Sequence, residues 1–259
     1  MRELPEQLVS LVAPTSLEAD QYRSLRHIVE RTRSQSDASV YALTSPASGD
    51  GKTVTTLNLA GSLAQSRENR VLIVDADLHR ASVGEYLGMD SAETPGLVGA
   101  IEGRDLFECV RRLDDLNLSV LLSGVYTTGA YELLNSPRLE WLLKEARRHY
   151  DYILIDTPPL LPLPDCRLIG QWADGFIILV AAHRTPRKAL AEALSLLDRT
   201  KVLGMVFNGD DRPLTAYSSY YGYYGGRESG ARTTASGRWW RRTPSGVRST
   251  DVDVHSKTH

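Results

Sequence analysis

A loop that ends in Gly51, Lys52 and Thr53 has the residue types needed to bind phosphate groups. It follows the apolar run 40–43, which we expect to be a buried strand, and precedes residues 54–65, which we expect to be a helix. A strand, a glycine-containing loop and a helix in this order are typical of a P-loop. Loop N–H groups and the helix N-terminus attract phosphate, the lysine reaches the β- and γ-phosphates, and the hydroxyl can ligate Mg²⁺. The sequence therefore predicts a site for a nucleotide and Mg²⁺.

Two further apolar runs end in carboxylates. Residues 71–74 lead into Asp75 and Asp77, and residues 152–155 lead into Asp156. Ligands of parallel α/β sheets bind beyond the carboxyl ends of the strands, so we expect these carboxylates to lie near the loop. A single aspartate after a strand is usually a turn former or helix N-cap, but this chain combines three coordinated features. The candidate catalytic residues are Lys52, Asp75, Asp77 and Asp156, and the candidate metal ligands are Thr53, Asp75 and Asp156.

One position of the loop departs from the usual P-loop pattern. Pro46 stands where a glycine is expected five residues before Gly51, so the Gly-Lys-Thr tripeptide alone leaves room for a chance match. The carboxylates described above make a chance match much less plausible. The candidate nucleotide-binding residues of the loop are Gly49, Asp50, Gly51, Lys52, Thr53 and Val54.

Length and composition fit one sizeable domain with extensions. The chain has 259 residues, of which 42% are hydrophobic and 24% are charged, and its net charge of −2 gives no general attraction for nucleic acid. The cysteines, Cys109 and Cys166, show no disulfide or zinc spacing, which is typical of a reducing cytoplasm. We find no signal peptide and no run near the roughly 18 apolar residues of a membrane span, so we expect membrane contact only through a partner.

Strand-like and helix-like segments alternate along the chain. This alternation predicts an α/β fold, with a mostly parallel sheet flanked by helices. We expect strands at 39–44, 71–75, 117–122, 152–156, 175–181 and 202–207, and helices at 53–66, 137–149 and 187–199. An earlier helix should begin at the capping-box pattern formed by Thr15 and Glu18. Its rough apolar face, at helical spacing, comprises Leu17, Leu25, Ile28 and Val29.

Changes in composition divide the chain into four parts. Residues 1–34 form an N-terminal arm and helix, residues 35–212 the P-loop domain, residues 213–226 a tyrosine cluster, and residues 227–259 a tail. The tail is rich in Gly, Ser, Thr and Arg. We expect it to be disordered, because it lacks the apolar residues that a folded core requires.

The motifs together resemble those of the bacterial tyrosine kinases (BY-kinases), the CpsD/CapB-type proteins of capsular and exopolysaccharide synthesis. The matching segments are 45–53, 75–79, 154–159 and 132–136. The resemblance covers roughly residues 12–226, and it accounts for Pro46, because the family often lacks the leading glycine. It implies a P-loop NTPase of the MinD/ParA-like branch that uses ATP and Mg²⁺. It also adds Asn208 to the nucleotide-binding residues.

The resemblance extends to two features outside the P-loop core. Asp20, Arg23 and Arg26 stand where the family has a motif that packs subunits into a ring, although Asp20 is shorter than the usual glutamate. Their three-residue spacing places them along one helical stripe, which would be taken for a solvated charged face without the resemblance. The dense tyrosines look like the family's autophosphorylation tail. The candidate phosphoacceptors are Tyr217, Tyr220, Tyr221, Tyr223 and Tyr224.

The resemblance implies a protein-tyrosine autokinase that regulates exopolysaccharide or capsule polymerisation and export. In that function Asp77 would orient the incoming tyrosine hydroxyl or accept its proton. The implied partners are further copies of the chain in a ring and a membrane-embedded polysaccharide co-polymerase that acts as activator. We therefore expect a cytoplasmic protein at the inner face of the plasma membrane, with no nucleic-acid partner.

Several positions depart from the family pattern and leave two other functions open. Ser48 and Ala81 stand where proline is common, His79 stands where arginine is common, and residues 126–130 lack the usual Pro-Asn-Pro. A MinD/ParA-like ATPase is one alternative, but its signature lysine would stand at Ala47. The other alternative is a non-catalytic, nucleotide-binding regulator of the polysaccharide export complex.

Overall fold

Seven strands form a single sheet in the computed structural model, which describes residues 4–125 and 129–210. The strands are β1 (Val40–Thr44), β2 (Val71–Asp75), β3 (Arg111–Leu113), β4 (Leu118–Leu121), β5 (Tyr152–Asp156), β6 (Gly175–Ala181) and β7 (Val202–Asn208). Their order across the sheet is β3-β4-β2-β5-β1-β6-β7. Every neighbouring pair is parallel except β3 and β4. The sheet is therefore mostly parallel, as predicted.

Ten helices accompany the strands in the described part of the chain. They are α1 (Val9–Val12), α2 (Leu17–Ser36), α3 (Lys52–Ala64), α4 (Val83–Leu87), α5 (Gly96–Ile101), α6 (Leu106–Cys109), α7 (Ala130–Leu134), α8 (Pro137–His149), α9 (Asp165–Trp172) and α10 (Arg187–Ser195). Three short 3₁₀ turns occupy Ser91–Glu93, Asp114–Leu116 and Arg199–Lys201.

Two hydrophobic cores lie on opposite faces of the sheet. Successive side chains of a strand point to opposite faces, and in β1 Tyr41 and Leu43 belong to one core while Val40 and Ala42 belong to the other. All five residues of β1 are buried. Burial on both faces explains why the central strands are continuous apolar runs rather than alternating ones.

The second helix begins one residue later than predicted. Ser16, not Thr15, is the N-cap, because its hydroxyl oxygen accepts a hydrogen bond from the Ala19 N–H at 3.1 Å. The predicted apolar face is also partly wrong. Val29 is fully buried, but the side chains of Leu17 and Ile28 lie on the outer side of α2, where these residues are 54% and 51% exposed.

The six predicted strands and the long helices are confirmed within two residues, except that α10 ends at Ser195 rather than near residue 199. Sequence periodicity missed β3 and the helices α1, α4, α5, α6, α7 and α9, which have four to eight residues each. Elements this short span too few turns to show a periodic pattern. Apart from α1, the missed helices lie in the connections between strands, and β3 lies at the edge of the sheet.

No helix in residues 4–125 and 129–210 has the length and apolar character needed to cross a membrane. The predicted tyrosine cluster and tail, residues 213–259, lie outside the described residues, as do residues 126–128. The four-part division of the chain therefore stays a prediction.

Candidate active site

The loop between β1 and α3 has a backbone that requires glycine. Gly51 is the N-cap of α3 and has a left-handed conformation with φ 93°. A Cβ atom added there would lie 1.9 Å from Nδ2 of Asn208, so a side chain at this position is excluded by contact as well as by conformation. The helix starts at Lys52, so the positive end of its dipole faces the loop. This geometry is suited to binding phosphate.

Thr53 joins this loop to the end of β5. Its hydroxyl donates a hydrogen bond of 2.6 Å to Oδ2 of Asp156, and it lies 2.9 Å from the hydroxyl of Ser82. The charge of Lys52 lies close enough to Asp156 to lower the pKa of that carboxyl, although other effects outweigh it. Sequence reasoning missed Ser82, which carries no motif and is placed by the chain between β2 and α4.

Two predicted carboxylates lie side by side at the ends of neighbouring strands. Asp75 and Asp156 are paired residues in the register of β2 and β5, and both are buried. Oδ2 of Asp75 accepts the N–H of Val83 at 3.1 Å, whereas its Oδ1 is buried and has no partner among the described residues. A buried oxygen without a donor is unfavourable unless a cation or a proton satisfies it.

Burial raises the pKa of both carboxyls. Burial raises the pKa of Asp156 to about 7, despite the lowering effect of the Thr53 hydrogen bond. Burial, reinforced by the charge of Asp156, raises the pKa of Asp75 well above its usual value. In the metal-free protein the pair therefore holds protons that a bound cation would displace.

Asp77 lies beside this pair on the loop that follows β2. Its Oδ1 accepts the N–H of Arg80 at 3.0 Å, and its charge raises the pKa of both Asp75 and Asp156. Such coupling places the three carboxylates in one electrostatic site. The structure thus brings together all four predicted catalytic residues, from three separate segments of the chain.

His79 has a specific partner. Its Nε2 lies 2.7 Å from Oδ2 of Asp165, which is buried in the first turn of α9. The contact ties the loop that carries Asp77 to the segment that follows β5. Sequence reasoning missed Asp165. The only available signal was an aspartate directly after Pro164, at a position where acidic residues favour a helix start.

Two side chains from the last third of the described chain contact the phosphate-binding loop. Asn208, at the end of β7, donates from Nδ2 to the carbonyl of Asp50 at 3.0 Å. Arg184, which follows β6, donates to the carbonyl of Gly49 at 2.8 Å. Asn208 was predicted at this site through the family resemblance. Arg184 was not, because an exposed arginine in a loop carries no signal in the sequence.

The predicted oligomer residues lie on α2, away from the carboxylates. Asp20 and Arg23 form an ion pair, and Arg23 also donates to the Pro14 carbonyl at 2.6 Å. Arg26 lies 2.7 Å from Glu30 and donates to a carbonyl of α3 at 2.8 Å. These contacts within the chain leave the predicted role in a ring untested. The five candidate phosphoacceptor tyrosines lie outside the described residues.

A cavity at the opposite end of the strands is not part of this site. Its volume is about 450 Å³, and Arg147, Asp174 and Lys201 are among the residues that line it. Arg147 and Asp174 form two hydrogen bonds, at 2.6 and 2.8 Å, and Lys201 donates to the carbonyl of Gly170 at 3.0 Å. These charged groups already pair with one another or with a backbone carbonyl. We therefore assign them to stabilising the fold and not to binding a ligand.

The residues present fit a nucleotide with Mg²⁺. Within the described part of the chain no group of three or more His, Cys, Asp or Glu side chains could hold a metal alone. Mg²⁺ does not need such a cage, because it keeps several waters and shares one or two carboxylates with substrate phosphates. The unpartnered oxygen of Asp75 and the paired Thr53 and Asp156 supply oxygen ligands of that kind.

Comparisons with known proteins find relatives that match most of the chain. The family model described as an AAA domain matches residues 38–201. The tyrosine-protein kinase YwqD of Bacillus subtilis is 32% identical over 225 residues, a match that spans 86% of this chain and 92% of YwqD. The solved BceF tyrosine kinase domain is 32% identical, has a TM-score of 0.70, and is matched over 78% of this chain and 81% of that chain.

Some relatives are much longer than this chain. The tyrosine-protein kinase Wzc of Salmonella typhi is 32% identical over 84% of this chain, but the match spans only 30% of Wzc. What such longer proteins do as a whole therefore does not transfer directly to this chain.

Proposed function

The chain belongs to the bacterial tyrosine kinases, and on this basis we propose that it uses its P-loop site to phosphorylate tyrosines of its own C-terminal cluster. This activity would regulate exopolysaccharide or capsule polymerisation and export. The observation that carries the proposal is the convergence of Lys52, Thr53, Asp75, Asp77 and Asp156 at the carboxyl ends of β2 and β5 and the start of α3. A nucleotide-binding role alone would not need the third carboxylate, Asp77.

Each residue has a distinct role in the proposed transfer. The loop N–H groups and Lys52 bind the phosphates of ATP and offset the charge that develops on the γ-phosphate. Thr53, Asp75 and Asp156 hold Mg²⁺, directly or through water, and the ion supplies further charge neutralisation. The tyrosine oxygen forms a bond to the γ-phosphorus as the bond to the leaving ADP breaks, and the hydroxyl proton passes to Asp77.

The proposal includes assembly and a membrane partner. Asp20, Arg23 and Arg26 would contact a neighbouring copy in a ring. The tyrosine cluster, residues 213–226, would reach the active site of that neighbour. A membrane-embedded co-polymerase would act as activator and hold the protein at the inner face of the membrane. We therefore expect the purified chain alone to be a poor kinase, and high unaided activity would count against this part of the proposal.

One experiment separates the kinase from the two alternative functions. The 259-residue chain is incubated with ATP and Mg²⁺ for long enough that even a poor kinase accumulates product, and phosphotyrosine and released phosphate are measured in the same samples. A kinase accumulates phosphotyrosine on this chain. A MinD/ParA-like ATPase releases phosphate without phosphotyrosine, and a non-catalytic regulator does neither while still binding ATP. Either of the last two results would overturn the proposal.

A further inference from the structure

Two consecutive carbonyl groups of the phosphate-binding loop are held by side chains from a distant part of the chain. Nη2 of Arg184 donates to the Gly49 carbonyl at 2.8 Å, and Nδ2 of Asn208 donates to the Asp50 carbonyl at 3.0 Å. In a planar trans peptide, the C=O of one residue and the N–H of the next point in opposite directions. A donor that holds the carbonyl on one side therefore orients the following N–H to the other side.

The N–H groups oriented in this way are those of Asp50 and Gly51. Among the described residues the structure gives neither of them an acceptor, although Asp50 is buried. Gly51 is only partly buried, but a buried backbone N–H such as that of Asp50 is rarely left without an acceptor, so it points to a ligand. Successive N–H groups that face one side form a nest for anions such as phosphate.

We propose that Arg184 is a positioning residue that, together with Asn208, holds the loop in the conformation that binds the phosphates of ATP. The inference rests on the proposed nucleotide binding, and it adds a residue that neither the sequence motifs nor the family resemblance identified. Arg184 acts through the loop backbone. It is not assigned a role in the transfer step itself.

Backbone hydrogen bonds fix the turn that carries Arg184. The N–H of Ala182 donates to the Asn208 carbonyl at 2.8 Å, and the N–H of Arg184 donates to the Ala181 carbonyl at 3.1 Å. Between them, His183 has a left-handed backbone with φ 60°, which is uncommon for a residue other than glycine. Such conformations persist where the surrounding structure enforces them, and they concentrate at functional sites. The turn thus connects Arg184 and Asn208, the two residues whose side chains hold the loop carbonyls.

Arg184 also offsets a negative charge in the loop. Its guanidinium lies 3.7 Å from Oδ1 of Asp50, and Oδ2 of Asp50 is buried without a partner among the described residues. A carboxylate so close to bound phosphates would repel them unless a cation lies nearby. Arg184 therefore contributes both a hydrogen bond, which any donor can replace in part, and a charge, which only a cation can replace.

Calorimetric titration of the 259-residue chain with pyrophosphate, ADP and ATP in the presence of Mg²⁺ tests this inference. Pyrophosphate reports on the loop alone, because it lacks the base and ribose. The variants are Arg184→Ala, Arg184→Lys and Arg184→Gln. Arg187→Ala is the matched control, because it removes another exposed positive charge three residues away. Lys52→Ala gives the affinity of a protein whose phosphate-binding loop has lost its lysine.

We expect Arg184→Ala to weaken binding of all three ligands about tenfold, a loss typical of one charge-assisted hydrogen bond. Arg184→Lys should recover most of the affinity, Arg184→Gln less, and Arg187→Ala should bind like the wild type. The melting temperature of the ligand-free protein should not change, since Arg184 is largely exposed. Pyrophosphate binding by Arg184→Ala within twofold of Arg187→Ala would overturn the inference. The inference would also be overturned if the melting temperature of Arg184→Ala fell in parallel with its loss of binding and Arg184→Lys did not restore it.

These measurements do not depend on the kinase activity. A protein that binds ATP through Arg184 but never forms phosphotyrosine would refute the proposed function and leave this inference standing. A protein that forms phosphotyrosine, and whose affinity for ATP does not change when Arg184 is replaced, would support the proposed function and refute this inference.

Discussion

The Thr53 hydroxyl donates a 2.6 Å hydrogen bond to Oδ2 of Asp156, across 103 positions of the chain. A hydroxyl has one hydrogen and two lone pairs, so this bond leaves the Thr53 oxygen able to accept a hydrogen bond or ligate a cation. Ser82, at 2.9 Å, is placed to use one of these lone pairs. The two proposed metal ligands are therefore already in contact before any cation binds, which spares the ordering of side chains that binding otherwise requires.

The raised pKa of Asp156 predicts how the stability of the metal-free protein changes with pH. Its pKa is about 7 in the folded protein and near its ordinary value when unfolded, so between these values the folded state binds more protons. Stability should be greatest below pH 4 with respect to this group and should fall as pH rises to 7 and above, by up to about 4 kcal/mol.

Asp156→Asn should remove part of this loss, because asparagine stays neutral at every pH. Melting temperatures of wild type and variant, compared in EDTA from pH 5 to 8, should diverge in favour of the variant as pH rises. The same variant should lose Mg²⁺-dependent phosphorylation, because the charge that the ion requires is gone. Parallel melting curves across this pH range would contradict the account of Asp156.

The contact between His79 and the buried Asp165 should support the loop that carries Asp77. His79→Ala leaves the Asp165 carboxylate without this partner and should lower the free energy of unfolding by about 1–2 kcal/mol, with a fall in kcat larger than any change in KM for ATP. His79→Arg keeps a donor at this place and should restore both. Chemical denaturation and steady-state kinetics measure these effects. Wild-type kcat in His79→Ala would show that the contact has no role in positioning Asp77.

The charged stripe on α2 predicts an oligomer that depends on arginine. Arg23→Ala should shift the protein to smaller species in size-exclusion chromatography with light scattering, at little cost in melting temperature, because its side chain is 40% exposed. Arg26→Ala should also lower the melting temperature, because the hydrogen bond that it loses to α3 is partly buried, whereas the bond from Arg23 to the Pro14 carbonyl is exposed. Arg31→Ala, an exposed position on the same helix, is the control. A monomer in wild type and variants alike would defeat the predicted interface.

The tyrosine cluster predicts where phosphate is added and by which subunit. Replacing the five candidate tyrosines by Phe should remove the main phosphotyrosines found by mass spectrometry. In a mixture, a five-Phe chain with an intact site should phosphorylate a Lys52→Ala chain that retains its tyrosines. Each phosphate adds about −1.5 to −2 charges, so phosphorylated tails should repel one another and loosen the oligomer. Main phosphotyrosines that persist outside residues 217–224, or no transfer in the mixture, would refute this prediction.

The local sequence was sufficient to predict the site residues that end a strand or begin the helix after β1. Asp75 and Asp156 each stand at a strand end, and Lys52 begins the helix that follows β1. A parallel sheet brings such positions together whatever the connections are. Ser82, Asp165 and Arg184 could not be predicted in this way. Their places depend on how irregular connections pack, and no periodic or spacing rule constrains those segments.

The same limit explains the errors at the helix starts and on α2. Thr15 and Ser16 are both good N-caps, and only the backbone geometry of the preceding turn selects Ser16. Leu17 and Ile28 match the spacing of an apolar face, but α2 packs on α3 through a narrower stripe that includes Val29.

Autophosphorylation of the Lys52→Ala variant, measured beside the wild type with ATP and Mg²⁺ by phosphotyrosine immunoblot, tests the central claim most directly. The account predicts no phosphotyrosine in the variant, because Lys52 is the side-chain cation that the loop places on the β- and γ-phosphates. It also predicts an unchanged melting temperature without nucleotide, which shows that the fold is intact. Phosphotyrosine at the wild-type level in a folded Lys52→Ala protein would contradict the assignment of the P-loop as the site of phosphoryl transfer.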